Sequence, residues 1–306
     1  MPLAAAWEVR RLAGALGAEV WGADLAQATA EDCRAIAKLL TDHGVLFFPR
    51  QQLDEESHIR FGRFFGPLEA HPNAADISGN VKNFPEIFQL RASQGGVADE
   101  WHTDLTFRDE PAQMAILHMV KCPDVGGDTM WASLGKAYDA LSPPMKELCD
   151  GLTALHDAHP HGHPEQTAIH PVVRSHPVTG QKLLYVSEHF TRRVVELSYE
   201  ESAMLLGHLT KWVQRPAFTV RYRWSPGTVA IWDNTQTQHC VLQDFVGERI
   251  IHRVSVMGDR PLAASPGRWP PCLRAHDHIS VSATSRHDRQ LHQHLGAARK
   301  ASMAKL

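Results

Sequence analysis

The spacing of apolar and polar positions along the chain changes often, and the changes predict many short strands with a few helices between them. Residues 17 to 22 (Gly-Ala-Glu-Val-Trp-Gly) predict a short strand. From Thr29 to His43 the apolar residues Cys33, Ile36, Leu39 and Leu40 recur three and four apart behind a Thr29 cap, which predicts an amphipathic helix. Gly44 to Pro49 is a buried strand stopped by proline, and Asp54 to Phe65 is a second helix with Phe61, Phe64 and Phe65 on one stripe. Between Asn73 and Val97 the chain is polar and rich in Gly, Pro and Asn, with a short apolar island at Ile87 and Phe88, so it predicts a loop. Met114 to Val120 and Asp128 to Ala132 follow as strands, and Ser133 to Asp150 as helix, with Pro143-Pro144 opening a second one.

Four histidines in eight residues then appear between His156 and His163. They could form an extra metal site, but prolines and a glycine interrupt any regular spacing, so a solvated loop is the expectation. Further strands are predicted at Pro171 to Val173, Leu183 to Val186, Phe218 to Arg223 and Thr228 to Trp232. Ser198-Tyr199-Glu200-Glu201 is a capping box opening a helix whose Leu205, Leu206, Leu209 and Trp212 face the core.

Composition narrows the classes. The 306 residues suit one elaborated domain. A formal charge of -3, from 31 Lys and Arg against 34 Asp and Glu, carries none of the basic footprint of a nucleic-acid binder. Small molecules are the expected partners. Five cysteines, odd in number and without CxxC spacing, argue against a disulfide framework and a cysteine zinc site, and a cytoplasmic location is expected. No apolar run reaches the ~18 residues of a membrane span, and Met1 to Arg11 has no signal-like pattern.

The chemistry gathers at Trp101-His102-Thr103-Asp104-Leu105-Thr106-Phe107. If this stretch is extended, His102 and Asp104 leave the same face. Two ligands do not hold a catalytic metal, but a distant histidine would complete a 2-His-1-carboxylate triad, and His239, at the end of an apolar strand, is the candidate. On the strand that follows, Arg249, Ile251 and Arg253 share one face. Two guanidiniums facing inward require two anions, and the apolar continuation through Val254, Val256 and Met257 makes a merely surface strand the weaker alternative.

With these residues in view, the chain resembles the TauD/TfdA family of Fe(II)- and 2-oxoglutarate-dependent dioxygenases, in a taurine dioxygenase-like form. The likeness runs from about Gly44 to Pro261 through six blocks in order. They are Gly66-Pro67 with His71-Pro72, Trp101 to Phe107, Gly126 to Trp131, His170 to Arg174, Trp232-Asp233-Asn234 with His239, and Arg249 to Arg253 leading to Gly258-Asp259. The resemblance implies a mainly β fold with flanking helices, a double-stranded β-helix or jelly roll, over residues 1 to 261, with 262 to 306 an extension of unassigned role. It implies His102, Asp104 and His239 as ligands of Fe(II), with O2 and 2-oxoglutarate taking the open positions. Thr129 and Arg249 would bind the distal carboxylate of 2-oxoglutarate. Arg253 would meet an anionic group of the substrate, with His71 a further donor and Leu105 and Phe190 shaping an apolar wall. Because Asp104 is present, where family halogenases lack the carboxylate, hydroxylation is the implied outcome.

Some positions depart from the family pattern. Thr235 stands where an arginine is common, which removes an ion pair but no ligand. The interval from His239 to Arg253 is one residue short, so which arginine serves 2-oxoglutarate depends on where the gap falls. Ala74 and Ala98 replace polar contacts for a substrate amine. An organosulfonate releasing sulfite is the first substrate expectation, with an alkyl sulfate or an aryloxyalkanoate as alternatives, and a homo-oligomer, dimer or tetramer, is implied. The rival from another class is a jelly-roll protein that binds a metal or small acid without turning it over; it gives no reason for both Thr129 and Arg249.

Overall fold

The computed structural model describes residues 7–69, 81, 84–92 and 98–272. In chain order the elements are β1 (Glu8–Arg11), β2 (Ala18–Trp21), α1 (Ala30–His43), β3 (Val45–Phe48), α2 (Glu55–Arg63), β4 (Leu68–Glu69), β5 (Phe88–Arg91), β6 (Ala112–Lys121) and β7 (Thr129–Ser133). There follow α3 (Leu134–Asp139), α4 (Pro143–Cys149), β8 (Thr153–Ala158), β9 (His163–Pro171), β10 (Val173–Ser175), β11 (Lys182–Leu184) and β12 (Thr191–Val194). The series closes with α5 (Tyr199–Val213), β13 (Thr219–Tyr222), β14 (Val229–Asp233), β15 (Thr237–Val241) and β16 (Ile250–Met257). These elements fall into two compact units, both discontinuous in sequence.

The first unit comprises Met1–Asp104, Ala112–Leu134 and Gln214–Asp259. Its main sheet runs β1-β2-β3-β14-β6-β16-β4, with β5 also paired to β16, and a second sheet runs β13-β7-β15. All these pairings are antiparallel except β2 with β3. Strand alternation sends one set of side chains to each face. Leu46, Phe48, Ile116, Ile231, Val254 and Val256 share a core with Ile36 and Leu40 of α1 and Phe61 of α2. The opposite set, Phe47, Leu117, Trp232 and Ile251, shares a second core with Trp131, Val220 and Tyr222 from the smaller sheet and with Trp224 just beyond β13. There Phe47 stacks on Tyr222 at 3.7 Å between ring centroids. Burying each such aromatic contributes on the order of 2 to 3 kcal/mol. Two sheets packed face to face with helices outside make the jelly roll expected from the sequence.

Local signals account for the helices. Thr29 and Asp32 form a reciprocal capping box on α1, and the Asp54 carboxylate caps α2. The α2 helix ends at Arg63, so Phe64 stands 47% exposed instead of joining the Phe61 stripe, while Phe65 meets Phe61 edge to face. The segment expected to be loop before Val97 contains β5, because the apolar island at Ile87 and Phe88 leads into a strand that completes the edge of β16.

The second unit comprises Leu105–Pro111, Gly135–Val213 and Arg260–Leu306. It carries α3 from Gly135 onward, α4, α5, the sheet β12-β8-β9 and the pair β10-β11. Ser198 and Glu201 exchange capping bonds at the start of α5. The histidine-rich stretch is a correction. It was expected to be a solvated loop, and it is instead β8 and β9 joined by a single tight turn, with Gly162 at φ +78°. Proline and glycine there make the turn of a hairpin, and His156 and Asp157 are fully buried. Within the same unit, Ser175 N–H donates to Leu262, Ala264 N–H to Val173 and Cys272 N–H to Val195. Among the described residues no helix is long and apolar enough to cross a membrane.

Candidate active site

The site grows from a backbone pairing in the first unit. His102 and His239 form an isolated antiparallel bridge, each N–H donating to the other's carbonyl at 3.0 and 2.8 Å. This sets the two rings side by side, with centroids 4.1 Å apart. The Asp104 carboxylate completes the group, and one ligand atom from each of the three lies within 4.8 Å of the others. Among the described residues this is the only cluster of three or more potential metal-ligating side chains that meets this distance, and all three members are 4% exposed.

The route by which Asp104 arrives differs from the extended strand that the spacing suggested. The chain leaves the bridge at His102 and turns at Asp104, and the next residue, Leu105, takes φ +60°, which is uncommon for a side chain of that shape. Asn234 holds this arrangement. Its Oδ1 accepts from Asp104 N–H at 2.9 Å, and its Nδ2 donates to the carbonyls of Asp104 and Ala112 at 3.0 and 2.7 Å. Thr103 adds a bond from its hydroxyl to the Thr237 carbonyl. Sequence reasoning placed Asn234 in a motif without a task. The signal was a polar amide directly after a strand, at a point now seen to be 0% exposed.

The donor set suits a divalent metal. His102 Nδ1 lies 2.8 Å from the Glu100 carbonyl, which can only accept, so Nδ1 carries the proton and Nε2 offers its lone pair. Nε2 is the atom 3.8 Å from Asp104 Oδ1. His239 lies against Trp232 and Trp131, at 4.7 and 6.4 Å between centroids, so its ring is held in an aromatic slot. Two imidazoles and one carboxylate, buried and convergent, match the facial set that binds ferrous iron while leaving positions open.

Arg249 and Thr129 form a second group in the same unit. Arg249 is 1% exposed; its Nε donates to the Gly127 carbonyl at 3.1 Å and its Nη2 to the Thr129 hydroxyl at 3.3 Å. Burial pushes its pKa down to about 10, so it remains cationic at neutral pH. No carboxylate among the described residues lies within ion-pair distance of this guanidinium. Asp128 acts on it only from a distance, and a buried guanidinium without a contacting carboxylate calls for an anionic ligand. Gly126, before the Gly127 carbonyl that accepts from Arg249, sits at φ +77° with no room for a Cβ against the Asp244 carbonyl, so only glycine fits.

Arg253, two places beyond Ile251 on β16, has Nη1 2.8 Å from Asp104 Oδ1 and its guanidinium over the Phe88 ring at 5.4 Å. Of the two arginines, Arg249 is therefore the one beside Thr129 and Arg253 the one beside the His-Asp-His group. Asp233, deprived of the arginine common at position 235, is met by the Thr235 N–H and hydroxyl and by Gln236 Nε2. Ala98 uses its carbonyl to accept from Val241 N–H. Leu105 and Phe190 belong to the second unit; Phe190 is 2% exposed and packs edge to face on Phe107 and His161. His71 and Ala74 lie outside the described residues.

Comparison with known proteins agrees with this chemistry. Residues 8–255 match the family described as "Taurine catabolism dioxygenase TauD, TfdA family". The alpha-ketoglutarate-dependent sulfate ester dioxygenase of Pseudomonas putida is 36% identical over 287 residues, 85% of this chain and 93% of that protein. The alkylsulfatase of Acinetobacter baylyi is 34% identical, over 82% of this chain and 85% of its own. A crystal structure of a taurine dioxygenase from Burkholderia xenovorans superposes with a TM-score of 0.76 at 35% identity, covering 84% of this chain and 93% of that one. The chain belongs to the TauD/TfdA family of alpha-ketoglutarate-dependent (2-oxoglutarate-dependent) dioxygenases.

Proposed function

We propose that this enzyme uses Fe(II), O2 and 2-oxoglutarate to hydroxylate a small organic anion at the carbon bearing a sulfate ester or sulfonate, yielding succinate and CO2. The observation that carries the proposal is the presence in one unit of the His102, Asp104 and His239 cluster and a buried Arg249 with no contacting carboxylate among the described residues. His102, Asp104 and His239 would hold the metal, and bound iron would supply the O2 activation that couples decarboxylation to hydroxylation. Arg249 and Thr129 would hold the distal carboxylate of 2-oxoglutarate by charge-assisted bonds. Asn234 keeps Asp104 where the histidines need it, and Trp131 and Trp232 exclude water from the His239 ring.

Arg253 is assigned to the substrate anion. Only its Nη1 is engaged by Asp104, and its buried Nε has no partner among the described residues. A guanidinium has five donors, so several are left for an oxyanion. The family resemblance would give Leu105, Phe190 and His71 roles in substrate binding as well. A sulfate ester is the first substrate to test, because two of the relatives bear sulfate ester and alkylsulfatase names, and a sulfonate is the second, on the likeness to the taurine dioxygenase structure. Hydroxylation next to either group makes a product that collapses to an aldehyde, releasing sulfate in one case and sulfite in the other. Five free cysteines fit a cytoplasmic setting, and we propose a homo-oligomer there.

The test is succinate formation by the Fe(II)-loaded protein with 2-oxoglutarate under air, across alkyl sulfates, sulfonates including taurine, and aryloxyalkanoates. Stimulation by alkyl sulfates with equimolar sulfate is the expected result. Sulfite from a sulfonate would move the assignment to that class, phenol release to the aryloxyalkanoates, and failure of all three to stimulate turnover would overturn the substrate proposal.

A further inference from the structure

Trp224 is 7% exposed in the core between the two sheets of the first unit, edge to face with Tyr222 at 5.6 Å and with Trp131 at 6.1 Å. Packing alone would account for an aromatic ring there. The indole nitrogen does something that packing does not require: Nε1–H donates to Thr129 Oγ1 at 2.9 Å. The Arg249 guanidinium carbon lies 6.0 Å from the centre of the same ring, and Arg249 Nη2 donates to the same hydroxyl at 3.3 Å.

A threonine hydroxyl has two acceptor lone pairs and one proton. Both lone pairs of Thr129 Oγ1 are taken, one by the Trp224 indole and one by Arg249. The only capacity left to this buried oxygen is its proton. We infer that Trp224 is a positioning residue that makes the Thr129 hydroxyl an obligate donor, so that the Arg249 pocket accepts an ionised carboxylate and rejects a ligand presenting an N–H there. The inference rests on the assignment of Thr129 and Arg249 to 2-oxoglutarate, and adds to it a group that selects the ionisation state and chemistry of the distal end. The indole also tethers Thr129 on β7 to the stretch after β13, across the mouth of the strand pair Thr219–Tyr222 with Thr129–Ala132.

The measurement is anaerobic calorimetry on the Mn(II)-loaded full chain with two probes, 2-oxoglutarate and its 5-amide, in the wild-type protein and in Trp224→Phe, which keeps a ring and removes the N–H. Wild type should bind 2-oxoglutarate and discriminate strongly against the amide. Trp224→Phe should weaken 2-oxoglutarate about tenfold, the loss of one aligned bond to a group that meets a charge, and should lower the discrimination ratio, because a freed lone pair on Thr129 can then accept from the amide. In a Thr129→Val background the same change should alter 2-oxoglutarate affinity by less than about twofold. An unchanged affinity in Trp224→Phe, or equal weakening of both probes with the ratio intact, overturns the inference while leaving the functional assignment standing. If the wild type itself takes no 2-oxoglutarate, the assignment of the Arg249 pocket fails and the inference with it. Should Trp224→Phe not fold, nitrogen-15 spectra of the wild-type chain decide: the Trp224 indole resonance should shift when 2-oxoglutarate binds, and an unmoved resonance overturns the inference.

Discussion

Two pairs of histidines, one in each unit, are equally hidden from water and chemically unlike. His102 and His239 are both 4% exposed, and His156 and His170 are both 1% exposed. In the first pair the backbone bridge aligns the rings, His102 spends its Nδ1 proton on a carbonyl, and a carboxylate completes the group. In the second pair the rings meet edge to face at 5.2 Å among hydroxyls and carbonyls. His170 Nε2 lies within 2.9 Å of the Thr106 and Arg108 carbonyls and must carry its proton, while His156 Nδ1 faces the hydroxyls of Thr106 and Thr191. Burial holds the His170 pKa at about 4 and that of His156 well below its usual value, so both are neutral props for the Thr106 turn. Burial therefore does not make a ligand. A ring nitrogen left as acceptor, next to a carboxylate, is what the proposed metal site requires.

The sharpest way to break this comparison is to remove the carboxylate. Asp104→Ala should abolish iron retention and reduce turnover by roughly a thousandfold or more, the several kcal/mol a catalytic metal supplies. Metal analysis and succinate yield read it, and undiminished turnover would remove Asp104 from the site. Next in size, Arg249→Ala should raise the 2-oxoglutarate KM by about a hundredfold with a smaller change for the substrate, and Arg253→Ala should do the reverse. The opposite split would show that the two arginines have been exchanged.

The second pair should respond in stability, not chemistry. His170→Ala leaves two carbonyls without their donor and a gap beside Tyr185, and should cost about 2 to 4 kcal/mol in denaturant unfolding with iron content unchanged in the folded protein. Loss of iron at full stability would erase the distinction drawn here.

The most gradual effect, spread over the pH axis at up to about 1.4 kcal/mol per unit for each group, concerns acid. The folded values of His58, about 3, and His170, about 4, lie below the unfolded value near 6.5. The unfolded chain thus binds protons that the folded one refuses, so stability is full above pH 6.5 and falls as pH drops from there toward 4. Each group contributes up to about 1.4 kcal/mol per pH unit across that interval. Denaturation midpoints between pH 7 and 4.5 measure the slope, which His170→Phe should flatten; the same slope in that variant would exclude His170 as a source.

Much of this is legible in the amino-acid sequence. Thr29 and Asp54 announce their helices because capping is local, and the strands at Val45–Phe48 and Val229–Asp233 announce themselves because both faces are buried and their apolar runs are unbroken. The residues His102, Asp104, His239, Arg249 and Arg253 could be singled out because charged and metal-binding groups inside an apolar pattern need a reason, whereas Thr129 came into view only through the family resemblance. The hairpin through His156 to His163 was not legible, since proline and glycine signal a turn without saying what flanks it. The task of Asn234 was hidden too, because its partners, Asp104 and Ala112, lie more than a hundred residues away in sequence.

The sequence by itself determined the chemical inventory and its order, for a side chain's capacity to bind a metal or an anion is a property of the residue and its near neighbours. The tertiary structure alone decided which arginine stands beside Thr129, which histidine nitrogen is left as acceptor, and that Asp104 reaches His102 through a turn. Those outcomes depend on strand register and on bonds between distant segments, where a shift of one residue reverses every face.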